Sequence, residues 1–324
     1  MPKTWLSIFF ITTFFISSLR AQTIQWTDVS DTYGPLPASV KLFKTVTPID
    51  GKPNIAFYLA ADLNDPQLHF QTDTSKNRRL TPQQFYEKNN QPLVVVNTTF
   101  FSFATNQNLN IVVKDGKMVS YNIHSLPGRK TDTLTYRHPF GSAIGISKNR
   151  KADIAWLYTD SSLKKAYAFQ QPVKAFRDSA SQLKINKRDL KQLNNASPVK
   201  KWNVESAVGG GPVLVQDNKV MITNNEEIKF AGKAIDDRHP RTAMGYTNDN
   251  KLVILIVQGR MPGVAEGASL KHLADMFISI GCKEALNLDG GGSSSLIVNG
   301  KQTILPSDKT GQRPVPAVFM ISTK

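Results

Sequence analysis

The stretch AMGYTNDNKLVILIVQG, Ala243 to Gly259, sets two apolar segments on either side of a short polar turn. The second segment, Leu252 to Val257, is rich in valine and isoleucine, which suit a pleated surface better than a helix. Two such segments joined this tightly read as an antiparallel hairpin. The same grammar returns in NIVVKDGKMVSY (Asn110 to Tyr121), AIGISKNRKADIAW (Ala143 to Trp156), PVLVQDNKVMIT (Pro212 to Thr223) and SLIVNGKQTIL (Ser295 to Leu305). Asp-Gly and Asn-Gly tolerate positive φ at both central turn positions, as a two-residue hairpin requires. The expected fold class is α+β, a largely antiparallel or mixed β-sheet built from hairpins, with a few packed helices.

Two helices stand out against this background. LTPQQFYEKNN, Leu80 to Asn90, offers Thr81 as N-cap and Pro82 at the first helical position. SLKHLADMFISIG, Ser269 to Gly281, places Leu270, Leu273, Ala274, Phe277 and Ile280 on one face, with Ser269 as the cap and Gly281 as a left-handed stop. That helix should pack on a sheet and deliver the chain into the strand EALNLD, which ends at Asp289.

The chain has 324 residues, 40% hydrophobic and 20% charged, enough for one sizeable core. Lys3 precedes the apolar run TWLSIFFITTFFI and the small, polar SSLRAQ. This is the pattern of a secretory signal peptide over residues 1–21, and it predicts a secreted or periplasmic protein with no membrane span after cleavage. Residues 22–324 then read as one domain, less regular to about residue 90 and carrying a basic insertion at about 150–204. Cys282 is the only cysteine, so no internal disulfide forms. Its place between a helix end and an apolar strand predicts a buried, inert thiol.

The formal charge is +15, and +13 once Lys3 and Arg20 are removed. Such a surplus favours anionic partners, a phosphoglycan or an anionic envelope polymer. Much of it lies between Leu163 and Trp202, a stretch that reads as a solvated helical or irregular segment or as a contact for a polyanion. No basic motif with interleaved aromatics appears, so specific nucleic-acid binding is not expected.

Three consecutive glycines, Gly290 to Gly292, interrupt the apolar pattern between Asp289 and the hydroxyls of Ser293, Ser294 and Ser295. Without a Cβ, such a run bends freely and lets a ligand reach backbone N–H groups. No Gly-Lys-Ser/Thr follows, which excludes a nucleotide P-loop. Either the run is a binding loop or two layers of sheet cross closely there. A second triplet, Gly209 to Gly211, also leads into a strand. Between the two triplets, DDRHPRTAMGY brings Asp237, His239 and Arg241 to the mouth of another strand. An arginine there suits a bidentate grip on phosphate. The histidines show no His-Glu-x-x-His spacing, and no Gly-x-Ser-x-Gly elbow is present.

Taken in order, VVVNTTFFS (Val94 to Ser102), GGGPVLV, HPRTAMG, GASLKHLADMFISIGCKEALNLDGGGSSSLIVNG and PSDKTGQRPV (Pro306 to Val315) resemble the phosphodiester glycosidase family over roughly residues 80–323. That family includes an animal enzyme that removes N-acetylglucosamine from a phosphodiester. The resemblance implies a hydrolase that cleaves a sugar from a sugar–phosphate diester or a related envelope or exopolysaccharide glycan, with a carbohydrate or phosphoglycan substrate. The residues themselves suggest no cofactor and no metal site, since the histidines lack metal-type spacing and His239 beside Asp236 and Asp237 reads as packing or a hydrogen-bond partner. Asp289 would be the catalytic carboxylate, and Arg241 would hold the phosphate. Asn97, Gly210, Gly211, His239, Thr242, Gly290, Gly291, Gly292, Ser293, Ser294 and Arg313 would bind substrate.

Two departures from the family pattern matter. Thr98 and Thr99 follow Asn97 where glycines are usual, and Gln258 stands where an aspartate is usual. They keep open a second function, a glycan-binding or exopolysaccharide-assembly protein that uses the same pocket without turnover. Phe100 and Phe101 read as core packing.

Overall fold

The Lys251–Val257 strand is buried along nearly its whole length, and its side chains divide by parity. Leu252, Ile254 and Ile256 enter one apolar cluster, and Val253, Leu255 and Val257 enter another. A period of two with both faces buried places this strand inside the molecule, between two layers. The computed structural model describes residues 24–128, 132–193 and 198–324, so the expected signal peptide lies outside the described residues. Among the described residues no helix is long and apolar enough to cross a membrane.

The strand belongs to an eight-stranded sheet. Its order is Thr27–Asp28, Val40–Thr45, Ala56–Asp62, Lys251–Val257, Arg241–Thr247, Cys282–Asn287, Val213–Gln216 and Lys219–Val220. One face carries the Leu270–Ile280 helix, whose Leu270, Leu273, Ala274 and Phe277 meet Leu214, Ala243, Leu255 and Ala285. The other face shares its core with a seven-stranded sheet, through Ile144 and Trp156, and with a five-stranded sheet, through Val94, Val96 and Phe319. Every strand pair among these sheets is antiparallel.

Local chemistry accounts for these elements. The Asp115-Gly116, Asp217-Asn218 and Asn299-Gly300 turns all lie at positive φ, as the hairpin reading requires. Thr81 forms a full capping box with Gln84 at the start of Pro82–Lys88. Ser269 does the same with His272, and Gly281 ends that helix at φ 87°. Cys282 is buried in the core under the helix, and burial pushes its thiol up.

Two boundaries are corrected. The N-terminal part is not irregular: Val40–Thr45 and Ala56–Asp62 pair with each other, and the latter pairs with Lys251–Val257. Nor does a peripheral insertion begin at 150. Ala152–Tyr158 is an interior strand of the seven-stranded sheet, and Phe169, Leu190 and Trp202 are buried beyond it. Lys164, Lys174, Lys184, Arg188 and Lys191 point outward. The basic stretch is therefore one face of a packed region.

Candidate active site

Asp289 follows the Cys282–Asn287 strand and opens the loop that carries the first glycine triplet. Neighbouring strands pin the loop. Leu288 N–H donates to Thr242 O at 2.9 Å, Asp289 N–H to Thr98 O at 2.8 Å, and Gly291 N–H to Pro240 O at 2.8 Å. Asn97 closes the arrangement. Its Nδ2 donates to Asp289 O at 2.6 Å, and its Oδ1 accepts from the Thr242 hydroxyl at 2.8 Å and from Ser295 N–H at 3.0 Å. Both Asn97 and Thr242 are fully buried, so their side chains shape the loop and do not reach a substrate as expected.

The glycines of this loop make room for arginines. A Cβ on Gly290 would stand 2.8 Å from Pro240 O and 3.8 Å from Arg241 Cδ. On Gly291 it would stand 3.0 Å from Arg260 Nη2. On Gly292 it would overlap Arg313 Nη2 and Asp308 Oδ1. Three guanidinium side chains thus approach one loop, each beside a different glycine. The expected backbone cradle is narrower than the whole run, because the N–H groups of Gly291, Ser293 and Ser294 are taken by Pro240, Gly290 and Gly291 carbonyls, while the Gly290 backbone acts on the Asp289 carboxyl. Positive charge comes from side chains instead.

The arginines differ in their freedom. Arg241 is buried, with Nε on Ala268 O at 2.9 Å and Nη2 on Asp237 O at 2.8 Å. Burial brings its guanidinium down to about 10, Asp237 opposes the shift and Arg260 adds to it, so the group remains charged at neutral pH. Arg313 is clamped by Asp308 through bonds of 2.7 and 2.9 Å. Arg260 is exposed, sits at φ 60°, and makes no hydrogen bond or ion pair among the described residues. Sequence reasoning missed it: a lone arginine after Gly259 carries no local signal, and only the fold brings it beside Gly291.

Asp289 is enclosed on most sides, which raises its carboxyl to about 7; Ser293, Arg313 and the Gly290 backbone pull in the other direction. Burial lowers His239, and Arg241 and Arg260 lower it further, which favours a neutral imidazole. Thr98 Oγ1, Ser294 Oγ, Ser295 Oγ and His239 Nδ1 are buried without a protein partner among the described residues. A buried polar atom left unpaired costs about 1–3 kcal/mol, so their concentration around one loop marks a place where a polar ligand can be held. The arrangement combines a carboxyl that titrates near neutrality with cations and ready hydroxyls.

The second triplet behaves differently. Gly210 and Gly211 are buried, and their N–H groups donate to Ser142 O and Asn287 O at 3.0 and 2.7 Å. A Cβ on Gly210 would overlap Asn287 O, and one on Gly211 would overlap Glu227 Oε2. These glycines let layers approach closely, which corrects their expected role in binding. Gln258 is likewise structural: its Oε1 accepts Leu305 N–H at 2.9 Å. Phe101 is buried as expected, whereas Phe100 is only half-buried and faces Phe230.

Gly291→Ala gives a direct test of the first triplet. At φ 60° a Cβ is strained, and the methyl group presses on Arg260. Stability should fall by about 1–2 kcal/mol in a denaturant titration. A variant as stable as the parent would show that the left-handed backbone is not required.

Fold and site together define an antiparallel α+β protein with an acidic, arginine-ringed glycine loop at the end of a central strand. The chain belongs to the phosphodiester glycosidase family, whose sequence model matches residues 157–322. Among individual relatives, it is 44% identical over 64 residues to the SPbeta prophage-derived uncharacterized protein YomE of Bacillus subtilis, covering 20% of this chain and 10% of that protein. It is 37% identical over 68 residues to the N-acetylglucosamine-1-phosphodiester alpha-N-acetylglucosaminidase of Bos taurus, covering 21% and 12%. These matches span only about a tenth of the relatives' own length.

Solved structures match far more broadly and show the same fold. The catalytic domain of the zebrafish N-acetylglucosamine-1-phosphodiester alpha-N-acetylglucosaminidase, auto-inhibited by its pro-peptide, aligns with TM-score 0.58 at 19% identity, over 94% of this chain and 89% of that one. A hypothetical protein from Synechocystis aligns with TM-score 0.57 at 15% identity, over 94% and 68%.

Proposed function

We propose that this protein is a secreted hydrolase that cleaves a sugar from a sugar–phosphate diester, acting on a phosphoglycan or a related anionic envelope polymer. The observation that carries this reading is the carboxyl of Asp289, poised near neutral pH on a loop approached by Arg241, Arg260 and Arg313. A phosphate monoester leaves readily, so the reaction needs charge stabilisation and one base more than it needs a strong acid. Asp289 takes a proton from the attacking water as the sugar–phosphate link breaks. The guanidinium groups stabilise charge on the departing phosphate. Water supplies a hydroxyl to one product and a proton to the other, which gives a free sugar and a phosphomonoester.

The purified protein with a panel of sugar-1-phosphodiesters, read by released reducing sugar and released phosphomonoester together, tests the reading. Binding without release of either product would support a glycan-binding protein instead. Gln258, where the family usually has aspartate, braces Leu305 in this chain by accepting its N–H.

Arg260→Ala follows as a second test. The side chain is exposed and has no hydrogen bond or ion pair among the described residues, so its loss should leave stability within about 0.5 kcal/mol of the parent. On a cleaved phosphodiester, kcat/KM should drop tenfold to a hundredfold, about 1.4–2.7 kcal/mol of transition-state stabilisation. Unchanged kcat/KM would remove Arg260 from the site.

A further inference from the structure

Beside the arginine loop lies a cavity of about 460 Å³ walled by Phe100, Leu109, Ile123, Leu126, Pro139 and Phe230. Phe230 joins the two: its ring lies 6.0 Å from Arg241 Cζ and 6.0 Å from the ring of Phe100. The polar residues in the wall are already satisfied from within. Asn122 receives Ile111 N–H and donates to Gly141 O, while Asn110 receives Phe100 N–H and donates to Gly210 O. Glu227 accepts from Ser142, Trp156, Val213 and Thr223.

Lys229 is the exception. Its ammonium lies 5.1 Å over the Phe100 ring and forms no hydrogen bond or ion pair among the described residues. Gly211 fixes its position relative to the loop, because a Cβ there would stand 2.8 Å from Lys229 Cε while Gly211 N–H bonds Asn287 O, two residues before Asp289. The cavity therefore offers an apolar body with the Lys229 ammonium and, across Phe230, the Arg241 guanidinium as cations, Lys229 being partly offset by the Glu227 carboxylate in the same wall. That combination suits an anionic amphiphile and no purely polar sugar.

We propose that this cavity is the subsite for the alcohol half of the phosphodiester and that this alcohol is an apolar chain, its phosphate bracketed by Lys229 on one side and Arg241 and Arg260 on the other. The proposal rests on the phosphodiester reading for its biological meaning, but its chemistry can be tested without turnover. Calorimetric titration of the full chain with methyl phosphate, octyl phosphate and neutral octanol measures the apolar and anionic contributions separately. Each buried methylene should tighten binding by roughly threefold to fourfold, so partial burial of the chain makes octyl phosphate at least about thirtyfold tighter than methyl phosphate. Octanol should bind at least about tenfold more weakly than octyl phosphate, and Lys229→Met should narrow that gap.

Ile123 is 38% exposed, so Ile123→Asp should fold normally. In that variant the advantage of octyl over methyl phosphate should shrink below about threefold, by loss of the apolar wall. Equal binding of methyl and octyl phosphate by the parent overturns the proposal, as does an octyl advantage that survives both Ile123→Asp and Phe100→Ala. If octyl phosphate binds as expected while no sugar phosphodiester is cleaved, the cavity stands and the hydrolase reading falls. If short-chain phosphodiesters are cleaved and octyl phosphate gains nothing, the hydrolase stands and the apolar subsite falls.

Discussion

Asp289→Asn is expected to lose about a hundredfold to ten-thousandfold in turnover and yet to be more stable than the parent at pH 8. The first effect follows from removing the base while keeping shape and one acceptor oxygen. The second follows from the raised carboxyl. An unfolded aspartate titrates near 3.9, whereas folding lifts this one to about 7 by enclosing it. Between those values the folded chain holds a proton that the unfolded chain has released, so stability falls as pH rises through the window. Below about pH 4 both states are protonated and no penalty exists. Above about 7 the penalty is complete, and asparagine escapes it. Parallel denaturant titrations at pH 4.5 and 8 check the sign: the variant's advantage should appear only at the higher pH. The parent's kcat/KM should rise with pH through about 7, as a base becomes available. A variant less stable than the parent at pH 8, or one with full turnover, would remove Asp289 as the strained base.

What was readable in the sequence follows from how local each signal is. The Asn299-Gly300 turn and the Ser269 cap are written within a few residues, and both stand as expected. The early strands were harder to read, because the Asp50-Gly51 turn between Val40–Thr45 and Ala56–Asp62 closes only the Ile49–Lys52 bridge, and Pro48 and Pro53 interrupt the apolar pattern on either side of it. At the site, the structure does bring Asn97, Thr242, Asp289 and Gly290 to Gly292 together. Their roles depended on partners that sequence distance hides. Asn97 meets Ser295 across 198 positions, and that bond makes it a brace for the loop. Arg260 and Glu227 gave no local sign at all. One is a surface arginine that the fold turns toward Gly291; the other is an acid in NNEEIKF on which donors from separate segments converge.

Gly211→Ala should show how differently the two triplets work. Gly211 lies at φ 107°, where a Cβ is strained, and its Cβ would overlap Glu227 Oε2 and approach Lys229 Cε at 2.8 Å. Glu227 has nowhere to move. It is 2% exposed, and its oxygens accept from Ser142 N–H and hydroxyl at 3.0 and 2.8 Å, Val213 N–H at 2.9 Å and the Thr223 hydroxyl at 2.7 Å. Backbone strain of about 1–2 kcal/mol adds to overpacking of about 1–3 kcal/mol. A loss of about 4 kcal/mol is a large part of the 5–15 kcal/mol that holds a typical domain. Glu227→Gln provides the matching control without a steric change. Either orientation of the amide turns an NH2 toward donors now facing a carboxylate, so this variant should also lose several kcal/mol. Both changes should appear as lower denaturation midpoints, whereas Gly291→Ala loses about 1–2 kcal/mol and disturbs the Arg260 side of the site. Should Gly211→Ala melt with the parent, the packing of Gly211 on Glu227 would not be what makes glycine necessary there. Should it unfold while Gly291→Ala keeps most of its stability, the two triplets have separate physical causes: close approach of layers under the site, and room for arginines around its carboxylate.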